Sequence, residues 1–119
     1  MRNLLKVFKA LSDETRLRVF NVLLERECCV CEVAQAMRIS QTRASRNLSI
    51  LYDAGLLKVK RTGLWVLYSI DEEAMGGSYD GLADIIRNSL RDAEIISLDL
   101  ERLKTAVREE QCSKLIFAD

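Results

Sequence analysis

The sequence contains no histidine among its 119 residues. Histidine is the commonest protein ligand for metals and the most frequent general acid or base. Its absence argues against most acid–base enzymes and metal hydrolases. A metal site in this chain would have to be built from cysteine thiolates or carboxylates.

Long apolar runs are also missing. No segment approaches the roughly 20 apolar residues that a membrane span requires, and Lys6 and Lys9 interrupt the apolar residues near the N-terminus where a signal peptide would be continuous. We therefore expect a cytoplasmic protein with no membrane partner, in which thiols stay reduced. The four cysteines are then expected to be ligands, redox groups or buried small side chains rather than a disulfide framework.

The formal net charge is zero, but the charges are unevenly distributed. Residues 38–61 hold six cations and one anion, whereas the chain from residue 70 onward holds twelve anions and six cations. A basic middle segment is typical of a local surface that binds phosphates. The alternative is an ordinary solvated charged face.

Apolar spacing predicts a single domain over residues 1–119 that begins with two helices. Leu4, Leu5 and Phe8 mark the first, and Ser12 is the predicted N-cap of the second. Residues about 30–54 then predict a helix-turn-helix: a two-turn helix, a three-residue turn at 38–40, and a longer helix capped by Ser40 and terminated near Gly55.

A hairpin follows directly. Residues 56–60 and 64–70 are rich in apolar and β-branched residues, and Arg61, Thr62 and Gly63 supply the turn between them. A basic-tipped hairpin behind a recognition helix predicts a wing over about 56–70. The predicted fold is therefore mainly α with a small β-hairpin, a winged helix-turn-helix.

The C-terminal third predicts a long helix over about 79–110. Its apolar residues alternate four and three apart, the spacing of a heptad seam, and its length of about 48 Å overhangs so small a domain. We expect this helix and the first to form a homodimer; the alternative is packing on the chain's own core. The predicted dimer contacts are Leu4, Leu5, Phe8, Leu82, Ile86, Ala93, Ile96, Leu100 and Leu103.

Double-stranded operator DNA is the expected partner of the helix-turn-helix. Gln41 and Arg46 have side chains suited to reading base edges, and the hydroxyl and wing residues are suited to holding phosphates. Trp65 and Tyr68 are expected to be packing residues. The predicted DNA contacts are Ser40, Gln41, Thr42, Arg43, Ser45, Arg46, Lys60 and Arg61.

Three cysteines, Cys28, Cys29 and Cys31, lie immediately before the helix-turn-helix, and Cys112 lies near the C-terminus. Thiolates select soft ions, and so few ligands favour three-coordinate As(III) or Sb(III), then Cd(II), Pb(II) or Hg(II). In an intact helix Cys29 and Cys31 would point about 200° apart, so we expect that binding must unwind the helix start. The third ligand is either Cys28, on one face with Cys31, or Cys112.

The ordered segments resemble the ArsR/SmtB family of winged-helix metal-sensing repressors. The resemblance implies a homodimeric repressor that releases its operator on binding an inducer. The arsenic-sensing branch is the most similar, with two departures. Ala34 stands where that branch has a third cysteine, and Asn47 stands where the recognition helix usually has a histidine. The matching segments are residues 10–18 (ALSDETRLR), 29–33 (CVCEV), 39–41 with 45–48 (ISQ, SRNL) and 54–56 with 61–68 (AGL, RTGLWVLY).

Two alternative functions would use the same cysteines. Clustered thiols can oxidise, so a redox-responsive repressor of the same fold is one alternative. A thiol-dependent reductase is a distant one, because Cys28 and Cys31 are formally a C-x-x-C pair but lie in no βαβ pattern and no glycine-rich anion loop. We expect that the chain is not an enzyme.

Overall fold

The computed structural model describes residues 2–76, 79 and 81–109. Over these residues the chain is mainly helical with one two-stranded antiparallel hairpin, as predicted. None of the described helices has the length and apolar character needed to cross a bilayer. The elements are α1 (Arg2–Leu11), α2 (Glu14–Glu25), α3 (Val30–Met37), α4 (Gln41–Asp53), β1 (Leu57–Thr62), β2 (Trp65–Ile70), α5 (Glu72–Gly76), α6 (Leu82–Leu90) and α7 (Glu94–Leu103).

The N-cap of α2 is Asp13, whose carboxylate accepts a hydrogen bond from the backbone N–H of Arg16 at 3.0 Å. The predicted cap, Ser12, is wrong: its hydroxyl donates to the carbonyl of Lys9 at the end of α1, at 3.1 Å. Both residue types are good caps, so adjacent candidates cannot be separated by sequence alone.

The helix-turn-helix is formed by α3, a turn at residues 38–40, and α4, as predicted. Arg38 lies in the left-handed region with φ 54°, which lets the chain reverse between the helices. Ser40 caps α4 by accepting from the backbone N–H of Arg43 at 3.1 Å. The inward face of α4, Ala44, Leu48 and Leu51, is fully buried in the core.

The hairpin has a tighter turn than predicted. Thr62 pairs directly with Trp65, so the turn is Gly63 and Leu64 alone, and Arg61 belongs to β1. Gly63 has φ 61°, the positive value that two-residue hairpin turns require.

The predicted continuous helix over about 79–110 is wrong. It is broken between α6 and α7, where Ala93 is extended (φ −75°, ψ 127°) and serves as the N-cap of α7. The break allows α6 to pack on α2, and α7 to pack on both α2 and α3. Burial on the chain's own core therefore replaces the extended overhanging helix.

Because of this packing, part of the predicted dimer seam is wrong. Ile86, Ile96 and Leu103 are buried within the protomer and are not an exposed seam. Apolar residues spaced alternately four and three apart indicate only that one face of the helix is apolar. They do not indicate which surface covers that face. The exposed apolar residues on α6 and α7 are instead Ile85, Ile95 and Leu98, and Leu4, Leu5 and Phe8 are exposed on α1.

A buried carboxylate fastens α7 to the rest of the domain. Asp99 is 0% exposed and accepts two hydrogen bonds from the Arg18 guanidinium on α2, at 2.9 and 2.8 Å. Arg102 donates to Asp99 at 3.0 Å and to the carbonyl of Ala36 at 2.7 Å. One ion cluster thus joins α2, α7 and the last turn of α3.

We predict that Asp99→Ala lowers the free energy of unfolding by about 3 kcal/mol, the low end for breaking a buried ion pair, because both guanidiniums retain some solvent contact. Urea denaturation at a fixed protein concentration measures this. The matched control is Asp84→Ala, which removes an exposed pair with Arg87 and should change stability by less than about 0.5 kcal/mol. Equal effects of the two substitutions would contradict the assignment.

Candidate thiol site and nucleic-acid interface

Cys29 and Cys31 form a thiol pair at the start of α3. Their Sγ atoms are 2.9 Å apart, while α3 is intact from Val30. Cys29 is the N-cap with extended backbone (φ −84°, ψ 171°), so the 100° rotation per helical residue does not apply to it. The expectation that the two sulfurs meet only after the helix unwinds is therefore wrong.

Cys28 lies outside the helix, so the predicted shared face with Cys31 is also wrong. It forms an antiparallel bridge with Tyr68 of β2, with N–H to carbonyl distances of 3.0 and 2.8 Å. Its Sγ donates to the carbonyl of Arg26 at 3.5 Å. In residues 2–76, 79 and 81–109, no three or more Cys, Asp or Glu side chains lie together as a metal site would require. Cys112 is outside the described residues.

A buried carboxylate, Glu32, organises the segment around the thiol pair. It is 4% exposed and accepts a hydrogen bond from the backbone N–H of Cys29 at 3.0 Å. Arg26 and Arg108 also donate to it, at 2.6 and 3.1 Å. Burial alone would raise the pKa of Glu32, but these three hydrogen bonds outweigh it and hold the pKa below its usual value.

The described thiols are almost completely buried. Burial raises the pKa of Cys28 to about 12. Burial, followed by the hydrogen bond with Cys31, also raises the pKa of Cys29. Cys28 and Cys29 are therefore neutral thiols at rest, and a ligand that binds their thiolates must displace the protons.

Residues 106–109, here called the C-terminal strap, run along α3 from Gln35 back to Cys31. The side-chain amide of Gln35 forms two hydrogen bonds with the backbone of Val107. Its nitrogen donates to the Val107 carbonyl at 2.7 Å, and its oxygen accepts from the Val107 N–H at 3.0 Å. The backbone N–H of Glu109 donates to the Sγ of Cys31 at 3.3 Å. The strap therefore covers one sulfur of the thiol pair.

Sequence reasoning missed Glu32, Gln35 and Trp65 as parts of this site. Trp65 was expected only to pack, yet its indole Nε1 donates to the carbonyl of Glu109 at 3.3 Å. An acid three residues after a helix cap is a capping signal that points to Glu32. No local pattern signals the contacts to the strap, which join residues 44 or more positions apart.

The predicted DNA-binding residues fall on two neighbouring elements. On α4, Thr42, Arg43 and Arg46 are exposed and Ser45 is partly exposed, and on β1 Lys60 and Arg61 are exposed. Ser40 is exposed but its hydroxyl caps α4. Lys60 lies 3.5 Å from the carboxylate of Glu27.

Two polar residues of α4 point elsewhere than expected from a helix surface. Gln41 is partly exposed, but its side-chain oxygen is buried and has no hydrogen-bond partner within the described part of the chain. Asn47 is buried and donates to the carbonyl of Arg43 at 2.9 Å. The exposed recognition surface is therefore dominated by Thr42, Arg43 and Arg46.

Residues 13–59 match the family model described as bacterial regulatory protein, arsR family. The chain is 48% identical over 69 residues to a cadmium resistance transcriptional regulatory protein CadC homolog of Staphylococcus aureus, over 57% of each chain. It is 35% identical over 71 residues to the arsenical resistance operon repressor of Bacillus subtilis (strain 168), over 59% of this chain and 68% of that one. The chain spans between 53% and 62% of the length of three curated relatives that it matches.

The fold is shared with a solved winged helix-turn-helix. The homodimeric DNA-binding domain Mb0332 (fragment 1–100) from Mycobacterium bovis superposes with a TM-score of 0.65 and 27% sequence identity. The match covers 78% of this chain and 82% of that one. This confirms the predicted winged helix-turn-helix architecture.

We predict that the three described thiols react slowly with an aromatic disulfide reagent in the native Cys112→Ser variant. The thiolate is the reactive species, and a pKa of about 12 leaves Cys28 roughly 10³-fold less thiolate near neutral pH than an ordinary thiol. The rate should rise with pH and become fast in denaturant. Rapid native reaction of all three thiols would contradict the burial described above.

Proposed function

Because the chain belongs to the arsR family of bacterial regulatory proteins, we propose that it is a transcriptional repressor. It binds operator DNA as a homodimer and releases it when arsenite or antimonite binds its cysteine thiolates. The observation that carries this proposal is the Cys29–Cys31 thiol pair, 2.9 Å apart at the start of the helix that supports α4. Soft thiolate ligands favour trivalent metalloids over hard cations.

The proposed ligand set is Cys29, Cys31 and Cys112. Glu109 is hydrogen-bonded to Cys31, and three further residues of chain reach no more than about 11 Å. A span of this length allows Cys112 to act as the third ligand. Three thiols would replace the three hydroxyl groups of arsenous acid, and each thiol proton would leave with one hydroxyl group as water. Cys28 is the alternative third ligand, but its backbone is committed to the bridge with Tyr68.

Ligand binding requires the thiol pair to open. An As(III) or Sb(III) centre bonded to both sulfurs must replace the contact that the two thiols now make with each other at 2.9 Å. The displacement falls on the N-cap and first turn of α3, which packs on α4. A coupling of about 1–3 kcal/mol suffices to change operator occupancy 5- to 150-fold.

On the DNA side, the exposed residues of α4 are proposed to enter the major groove. Arg46 reads a base edge, while Thr42, Arg43, Ser45 and the cap residue Ser40 hold phosphates. Lys60 and Arg61 on the wing hold phosphates beside them. Gln41 keeps its proposed base contact through the amide nitrogen, since its oxygen is buried.

The proposed dimer interface combines two exposed apolar surfaces. Leu4, Leu5 and Phe8 are the part of the predicted contact set that α1 presents to solvent. Leu82, Ala93 and Leu100 are partly exposed and can contribute at its edge. Ile85, Ile95 and Leu98 take the place of the buried Ile86, Ile96 and Leu103.

Fluorescence anisotropy on the chain's own upstream DNA tests the proposal. We predict release by arsenite or antimonite, and loss of that response in the Cys29→Ser/Cys31→Ser double variant. Cys28→Ser is the matched control and should retain the response if Cys112 completes the site. Release by cadmium or lead alone would show that the inducer is a divalent soft ion, the alternative for this site. Release by none of these ions would contradict metal-dependent repression.

The 2.9 Å separation of the sulfurs also favours a second candidate, a repressor released by thiol oxidation. A peroxide would accept two electrons as Cys29 and Cys31 form a disulfide, and the two thiol protons would leave with the reduced peroxide oxygens. Release by hydrogen peroxide, reversed by a dithiol reductant, with no response to arsenite would establish this function instead.

We predict that Arg61→Ala weakens binding to all DNA sequences and lowers the salt dependence by about one phosphate contact. Arg46→Ala should instead cost about 1–3 kcal/mol on the operator and relax its sequence preference. Arg87→Ala, on α6, is the control and should bind normally. Identical behaviour of the three variants in salt titrations would rule out this assignment.

A further inference from the structure

Glu109 connects the thiol pair to the wing through its own backbone. Its N–H donates to the Sγ of Cys31 at 3.3 Å, and its carbonyl accepts from the indole Nε1 of Trp65 at 3.3 Å. Trp65 is the first residue of β2 and the single tryptophan of the chain. A displacement of the Cys31 sulfur therefore reaches the wing across one residue.

The wing is also fastened to the cysteine segment at a second point. The backbone bridge between Cys28 and Tyr68 lies three residues further along β2 than Trp65. Trp65 pairs with Thr62, directly beside the turn, so it holds the tip of the hairpin while Tyr68 holds its middle. The basic residues Lys60 and Arg61 lie between these two attachments on the partner strand.

A ligand at the thiol pair changes the tip attachment more than the middle one. A ligand bonded to both sulfurs replaces the contact between them, and this moves the Cys31 sulfur that accepts from the Glu109 N–H. The bridge at Cys28 uses backbone groups only and keeps both of its hydrogen bonds if that thiol is not a ligand. The wing tip is thus the part of the hairpin that the thiol pair can release.

We propose that Trp65 is a positioning residue through which the thiol pair controls the wing. In the ligand-free protein, its hydrogen bond to the strap holds the wing tip, with Lys60 and Arg61, in the orientation that contacts DNA. Inducer binding shifts the strap, breaks this bond and removes the wing contacts, in addition to any change in α4. This inference rests on the proposed repressor function.

The test is Trp65→Phe, which keeps an aromatic ring and removes the indole N–H. We expect operator affinity without inducer to fall about two- to tenfold, the range that one hydrogen bond supports, with a smaller salt dependence. Affinity with arsenite bound should equal that of the wild type, so the ratio of the two affinities shrinks. Tyr68→Phe is the matched control, because it leaves the backbone bridge in place, and should behave as the wild type.

Wild-type affinity without inducer and wild-type inducer ratio, both retained in a folded Trp65→Phe variant, would overturn the proposal. If wild-type protein binds DNA but ignores arsenite, the metalloid function fails separately, and the inducer-free arm still decides the role of Trp65. If Trp65→Phe does not fold, the intrinsic fluorescence of the wild type decides. Operator release by arsenite without any change in Trp65 emission would overturn the inference, and a shifted emission would support it.

Discussion

The carboxylate of Glu32 is the group on which the thiol site depends. It is buried, and it gathers the N-cap of α3, Arg26 from the end of α2 and Arg108 from the strap. Without this acceptor, the backbone N–H of Cys29 would be buried with no partner. Arg26 and Arg108, whose side chains keep about a third of their surface exposed, would also lose their shared counter-charge. Glu32 also holds Cys29 in place as the N-cap of α3. Cys29 therefore lies outside the helix itself, and its sulfur lies beside that of Cys31.

The opposite end of α3 is held by a second buried carboxylate. Asp99 orients Arg102, whose guanidinium binds the carbonyl of Ala36 in the last turn before the helix-turn-helix. Both ends of α3 are therefore fastened to other elements, and these contacts oppose fraying at its start. A disturbance at the thiol pair is consequently passed on to its neighbours, the strap and α4.

Much of the fold was predictable from sequence, and the failures have three physical causes. Apolar periodicity and turn residues correctly predicted α1 to α4 and the hairpin. Membership of a family of DNA-binding regulators confirms that the chain is not an enzyme. The long helix and its seam failed because periodicity does not reveal whether a face such as that of Ile86 and Leu103 is covered by its own chain. The prediction of the thiol geometry failed because it depends on the exact residue at which α3 begins. A difference of one residue decides whether Cys29 is the N-cap or a part of the helix. The Cys28 bridge and the Trp65 bond are contacts between distant residues, which carry no local signal.

The strap has a consequence for the speed of induction. It is attached by hydrogen bonds to Gln35, Trp65 and Cys31 and by the ion pair between Arg108 and Glu32. Its local opening breaks these contacts but leaves the core intact, so it costs less than global unfolding. Both sulfurs of the thiol pair are buried, and the strap is hydrogen-bonded to that of Cys31. In the proposed repressor, an inducer would reach Cys31 while the strap is open, so the frequency of opening would set the response time. An ion present only briefly would then leave transcription unchanged.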